Sequence, residues 1–133
     1  MDQDKLAVIG TLYSVIGEEG LRKLVDRFYD IMDTDSSARE IRAMHPTDLT
    51  ESRDKLFMFL VGRFGGPPVY MEKRGSPALR MRHAPFPING NARDQWMACM
   101  GQAMREQLHE PGMIDLLNEF FYMVADAMRN QPH

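Results

Sequence analysis

The stretch GEEGLRKLVDRFYDIM, residues 17–32, decides the fold class. Its apolar residues Leu21, Leu24, Val25, Phe28, Tyr29 and Met32 fall at i, i+3, i+4, i+7, i+8 and i+11. That spacing draws one stripe along a helix from about residue 18 to residue 33, and the stripe requires a core to face.

Working outward, the same periodicity recurs. A helix is predicted from the cap-like Asp48 or Thr50 to about Phe64, with Leu56, Phe59 and Leu60 inward and Gly65-Gly66-Pro67-Pro68 as its stop. Another runs from Asn91 to Leu108 with Trp96, Met100, Ala103 and Met104 on one side, ended by Pro111-Gly112. A last helix carries Met113, Leu117, Phe120, Phe121, Val124 and Met128 and closes the core. Shorter helices are predicted near Lys5 to Ile16 and Pro77 to His83. Val, Ile and Thr supply only 16 of the 133 residues, which disfavours sheet and makes the chain all-α. At this length one domain, 1–133, is expected. Five of the eight prolines lie between Phe64 and Asn91, in a segment with little regular structure but with apolar Val69, Tyr70, Leu79, Met81, Phe86 and Ile88. Such a segment reads as a wall built around something.

Charge narrows the function classes. Nineteen acidic and sixteen basic side chains leave a net charge of -3, the wrong sign for a generic nucleic-acid or anionic-membrane surface. Every apolar run is too short for a membrane span, and MDQDKLAV lacks the basic start of a signal peptide, so a soluble cytoplasmic protein is expected. The single cysteine, Cys99, sits beside Trp96 and Met100 on an apolar helix and reads as a buried, inert thiol.

Most constellations that resemble chemistry have plainer readings. Asp33-Thr34-Asp35 alternates oxygens like a calcium loop but lacks the required Gly and Glu, so it reads as a capped helix junction. Lys73, Arg74, Arg80 and Arg82 form a basic cluster that by itself decides nothing. His83 differs, because Ala84-Pro85-Phe86-Pro87 turns the chain just behind it and holds its ring. By periodicity alone such a histidine is more often structural than a ligand.

The runs Gly65-Gly66-Pro67-Pro68-Val69-Tyr70, Leu79 through Ile88, and Arg93-Asp94-Gln95-Trp96 with Cys99-Met100 together resemble the signature of group II truncated haemoglobins. Ile16-Gly17-Glu18, Phe28-Tyr29 and Pro46-Thr47-Asp48-Leu49 match in order and spacing, so the resemblance covers nearly the whole chain. It implies a globin-like fold, a truncated two-on-two helical sandwich around haem b (iron protoporphyrin IX), held non-covalently. The absence of Cys-x-x-Cys-His agrees with non-covalent attachment.

The resemblance makes His83 the proximal iron ligand and Phe86 a packing partner of the porphyrin. Trp96 and Tyr29 match the distal tryptophan and tyrosine, whose indole N–H and hydroxyl can donate to a bound ligand. His45 stands where most relatives are expected to carry Phe or Tyr. Three roles are open to it: donation to the ligand, proton movement in peroxide chemistry, or swinging to iron as an internal sixth ligand, which Tyr29 could also become. Ser52, Leu56 and Phe59 belong to the helix over the distal face. Leu56 replaces a glutamine of some relatives, so one donor is missing. Lys55, Tyr70 and Arg82 are placed to pair with the haem propionates.

The implied function is binding of dioxygen, carbon monoxide and nitric oxide. The alternative is a haem enzyme consuming peroxide or nitric oxide, peroxidase-like or dioxygenase-like and recycled by an unidentified reductase; a haem-free helical interaction module comes third. A monomer and a homodimer are both compatible with the sequence.

Overall fold

A computed structural model describes residues 1–132. Among them the elements are α1 (Gln3–Ile9), α2 (Tyr13–Thr34), a 3-10 turn (Ser36–Ala38), α3 (Arg39–Ala43), α4 (Thr50–Arg63), α5 (Val69–Arg74), α6 (Leu79–His83), α7 (Gly90–Gln107) and α8 (Pro111–Ala127), with no strand. The all-α expectation holds, and the four long helices lie where the apolar periodicity places them.

They form two pairs, α2 with α4 and α7 with α8, and α2 packs most extensively on α7. This is the two-on-two arrangement. Leu21, Leu24, Val25, Phe28 and Met32 of the opening stripe are all buried, as are Leu60 of α4, Met100, Ala103 and Met104 of α7, and Leu117, Phe120 and Phe121 of α8. Phe64 centres an aromatic cluster with Phe120 and Phe121, ring centroids 5.8 and 6.4 Å away. Burying such side chains contributes about 1.5–3 kcal/mol each, which makes this stripe-to-stripe packing the main source of stability.

Two expectations are corrected, while the capped helix junction expected after α2 is present, with Asp35 as its cap. The helix placed at Lys5 to Ile16 is broken, because α1 ends at Gly10 and a turn precedes α2. The segment between Phe64 and Asn91 is more regular than its prolines suggest, since it holds α5 as well as α6. The junction after α2 winds into a 3-10 turn and α3, which are too short to show a periodicity. There Asp35 accepts from the Ser37 backbone N–H at 2.9 Å and Asp33 pairs with Arg42 at 2.8 Å. Both carboxylates of the calcium-like loop are thus engaged in local capping and pairing.

Two glycines are required by geometry. Gly17, at φ 80°, ψ 164°, kinks α2 and lets the long stripe start afresh at Glu18. Gly65, at φ 96°, brings the end of α4 so close to the α1–α2 turn that a Cβ would lie 2.1 Å from the Gly10 carbonyl oxygen.

Helix α7 starts at a side-chain cap: extended Asn89 accepts from the Ala92 N–H at 2.9 Å. Asn89→Ala is expected to cost about 1 kcal/mol and to lower the melting temperature by about 3–5 °C, measured by thermal unfolding followed by circular dichroism. An unchanged melting temperature would show that the cap does not hold α7.

Candidate functional site

Between the helix pairs lies a cavity of about 560 Å³, within the range of small-molecule and cofactor sites. Every site residue that the resemblance implied lines it: Tyr29 from α2, His45 after α3, Ser52, Lys55, Leu56 and Phe59 from α4, Tyr70 from α5, Arg82 and His83 from α6, Phe86 behind them, and Trp96 from α7. The lining also includes Ile41, Met44, Leu79, Ile88, Ala92, Arg93, Ala125 and Met128, which make much of the wall apolar.

His83 ends the single turn of α6. Its Nδ1 lies 2.6 Å from the Leu79 carbonyl oxygen. A carbonyl only accepts, so Nδ1 must carry the proton and donate, which leaves Nε2 with a bare lone pair. This is the tautomer a metal-ligating histidine requires, with its ring oriented by the second nitrogen.

Tyr29, His45 and Trp96 form a connected aromatic set. The Tyr29 ring meets Phe28 edge-on at 4.9 Å, Phe28 meets Trp96 at 4.9 Å, and Tyr29 stands 5.8 Å from His45. Trp96 continues to Phe121 at 5.5 Å, so the set is seated in the core rather than draped over it. Among the described residues no hydrogen bond engages the Tyr29 hydroxyl or the Trp96 indole N–H, and both side chains line the cavity. Burial pushes the Tyr29 phenol well above its ordinary range, an effect that the Arg53 guanidinium partly offsets. Tyr29 is therefore a neutral O–H donor at physiological pH.

His45 repeats the tautomer of His83. Its Nδ1 donates to the Ile41 carbonyl oxygen at 2.8 Å, so its neutral ring offers an acceptor at Nε2 and not a donor. Burial lowers its pKa from 6.5, Arg42 and His83 lower it further, and the Ile41 hydrogen bond works against them. Donation by His45 would first require a second proton, which this environment disfavours.

The sign for stability follows. A histidine whose folded-state pKa is depressed takes up a proton in the unfolded chain first, so stability present above pH 6.5 is lost as pH falls through that value. His45 is expected to titrate below 6.5 by NMR of its ring protons, and His45→Phe to flatten the acid side of the stability curve. A midpoint at or above 6.5 would contradict the buried placement.

Two residues that the sequence did not mark hold this set in place. Gln95, next to Trp96, accepts from the Ile41 N–H at 3.3 Å and donates to Glu40 at 3.1 Å. It pins α3, and through Ile41 the His45 ring, to α7. Arg53 donates to the Asp26 carbonyl oxygen at 2.9 Å and to the Asp30 carboxylate at 2.7 Å, clamping α4 across the turn of α2 that carries Tyr29. Gln95 stands in the run Arg93-Asp94-Gln95-Trp96, but neither residue's bridging role shows in the sequence, because an exposed-looking polar residue on a helix reads as a solvated face.

At the rim Lys55 and Arg74 share Glu51, at 3.3 and 3.1 Å. Arg82 donates to the Arg74 and Ser76 carbonyl oxygens and stands 5.9 Å from the Tyr70 ring. Two cations thus share one carboxylate and a third, Arg82, meets only backbone carbonyls, leaving the rim short of negative charge. A histidine with a bare Nε2, an apolar wall and a cationic rim fit a flat, largely apolar group with two carboxylates at its edge, as haem has. Cys99 lies outside the cavity lining; burial pushes its thiol up to about 11, which keeps it protonated and unreactive.

Known proteins share this geometry. The family model for bacterial-like globins matches residues 11–130. A group 2 truncated hemoglobin of Bacillus subtilis (strain 168) is 46% identical over 123 residues, which is 90% of this chain and 88% of that one. The solved group II 2-on-2 hemoglobin of the plant pathogen Agrobacterium tumefaciens superposes with a TM-score of 0.88 at 42% identity, covering 91% of this chain and 95% of that one. A truncated oxygen-avid haemoglobin of Bacillus subtilis superposes at 0.83 with 38% identity, covering 90% and 99%. Among the described residues no helix is long and apolar enough to cross a membrane.

Proposed function

Because this chain belongs to the bacterial-like globin family, as a group II truncated haemoglobin, we propose that it holds one haem b non-covalently and binds dioxygen and other diatomic gases in its cavity. The observation that carries the proposal is the pairing, in one cavity, of a His83 ring with a bare Nε2 and two unpartnered donors, the Tyr29 hydroxyl and the Trp96 N–H. When bound, haem supplies an iron that takes a diatomic ligand.

His83 would hold the iron through Nε2, and its Nδ1–H···O=C bond to Leu79 fixes the ring plane. Phe59, Leu56, Ile88, Phe86 and Met128 line the cavity and would exclude water and pack on the macrocycle, while Lys55, Tyr70 and Arg82 would meet its carboxylates. The Tyr29 hydroxyl and the Trp96 N–H would serve as hydrogen-bond donors to a bound gas. Ser52 and Leu56 add little polarity, so ligand retention depends on those two donors. The oxygen avidity of the solved Bacillus subtilis relative supports a pocket that retains dioxygen.

A second reading, consumption of hydrogen peroxide, draws on His45 alone. Its neutral Nε2 can accept a proton from peroxide, the task of a general base.

The test is a titration of the purified protein with hemin, followed by reduction and exposure to carbon monoxide and dioxygen. Saturation at one hemin per chain, with a ferrous form that takes both gases reversibly, is the expected result. Absence of saturable uptake would leave only a helical module. Peroxide turnover that drops in His45→Ala would favour the second reading.

A further inference from the structure

The residue that holds His83 in place is contributed by the far end of the chain. Helix α6 is a single turn of five residues with no buried side chain, and it opens at Ala78 in the left-handed region, φ 41°, without a side-chain cap. A helix this short does not sustain itself. The Nδ1 bond that orients the His83 ring runs to Leu79 of the same turn, so it orients nothing if the turn unwinds. Behind His83, Pro85 and Pro87 contribute no N–H, and the local bonds of this segment are Ala84 to Met81 and Phe86 to His83.

Asn130, just beyond α8, supplies what is missing. Its side-chain Nδ2 donates to the Phe86 carbonyl oxygen at 2.7 Å and, at 3.4 Å, to that of His83 itself. Its Oδ1 accepts from the Ile88 N–H at 2.9 Å. The backbone N–H groups of Asn130 and Gln131 both donate to the Ile88 carbonyl oxygen, at 2.9 and 3.1 Å. Among the described residues, every hydrogen bond from residues 83–88 to a distant part of the chain ends on Asn130 or Gln131. Asparagine suits the position because one side chain both donates and accepts. The tail is registered in turn by Asp126, which takes Arg93 of α7 at 2.8 Å and Arg129 at 3.3 Å.

We propose that Asn130 is a positioning residue for the axial base: it latches the loop behind His83 to the end of α8 and so sets how rigidly Nε2 is presented to the iron. The proposal rests on the reading of His83 as the proximal ligand. In Asn130→Ala the three side-chain bonds vanish, while α7, α8 and the cavity wall keep their packing.

The experiment compares hemin-loaded wild type, Asn130→Ala, Asn130→Asp and His83→Gly. The iron–histidine stretching band of the ferrous protein reports the bond directly. Amide exchange reports the Ile88 N–H, whose hydrogen bond is to Asn130. Transfer of hemin to a scavenger gives the loss rate. In Asn130→Ala the band is expected to shift and broaden, the Ile88 amide to exchange about tenfold faster and hemin to leave about tenfold faster, on the scale set by losing a few hydrogen bonds behind a metal ligand. Asn130→Asp keeps the acceptor for Ile88, so its amide is expected to stay protected while the band still shifts. A band unmoved in both variants, with hemin loss within about twofold of wild type, would overturn the proposal. If His83→Gly retains the band, His83 is not the ligand, and that separate failure is read in a variant with Asn130 intact.

Discussion

His83→Gly is expected to weaken hemin binding by more than about a hundredfold, beyond what even changes behind a metal ligand typically cause, and to abolish the spectrum of a histidine-ligated ferrous haem. The expectation follows from the composition of the cavity. Among the described residues only two histidines line it, and the second, His45, has its Nδ1 fixed to Ile41 on another element. Nothing else at the position of His83 supplies a neutral nitrogen lone pair. A glycine there leaves room for a small base, so millimolar imidazole is expected to restore much of the spectrum in His83→Gly and none in a Phe variant, which fills the space. Titration with hemin, monitored by absorption with and without imidazole, provides the measurement. Retention of wild-type affinity in the glycine variant would remove His83 from the iron.

The second large effect concerns retention of the gas. Tyr29→Phe removes a hydroxyl that has no other partner, and Trp96→Phe removes an N–H while keeping an aromatic ring against Phe28 and Phe121. A hydrogen bond to a charged group is worth about 1.5–3 kcal/mol, so each change is expected to speed dioxygen dissociation by about ten- to a hundredfold. The double variant distinguishes two arrangements. If the donors act separately, the effects multiply; if both serve one ligand atom, the double variant falls short of the product, since neighbours sharing a partner do not add. Stopped-flow displacement of dioxygen by carbon monoxide measures all three rates. Dissociation unchanged in both single variants would show that the donors do not reach the ligand.

How much of this was legible in the sequence depended on the range of the interaction. The stripe from Leu21 to Met32 announced its helix because burial imposes a period, and Gly65 and Pro67 marked an end because stops are local chemistry, whereas the cap position of α4 is Leu49 and the cap-like Asp48 takes the Thr50 N–H just before it. Tyr29, His83 and Trp96 were found through the motifs they share with a family and not through spacing, since one tyrosine or histidine on a helix carries no signal of its own. The tautomer of His45 was beyond reach, because it depends on a carbonyl four residues away meeting the ring at 2.8 Å. Gln95, Arg53 and Asn130 were beyond reach for a related reason. Each joins elements 23 or more residues apart, and a polar side chain looks the same in sequence whether it bridges two helices or faces water.

Between Phe64 and Ala92 only Tyr70 is buried, whereas the four long helices on either side supply most of the core. The chain is therefore divided into a frame that stands by its own packing and a panel that hardly contributes to it. Mutation is tolerated unequally across such a division. A change at Met71, Met81 or Phe86, all exposed, leaves the frame standing, and of the three Phe86 lines the cavity. A lineage can accumulate variants in the panel and explore new gas affinities or new partners without passing through sequences that fail to fold.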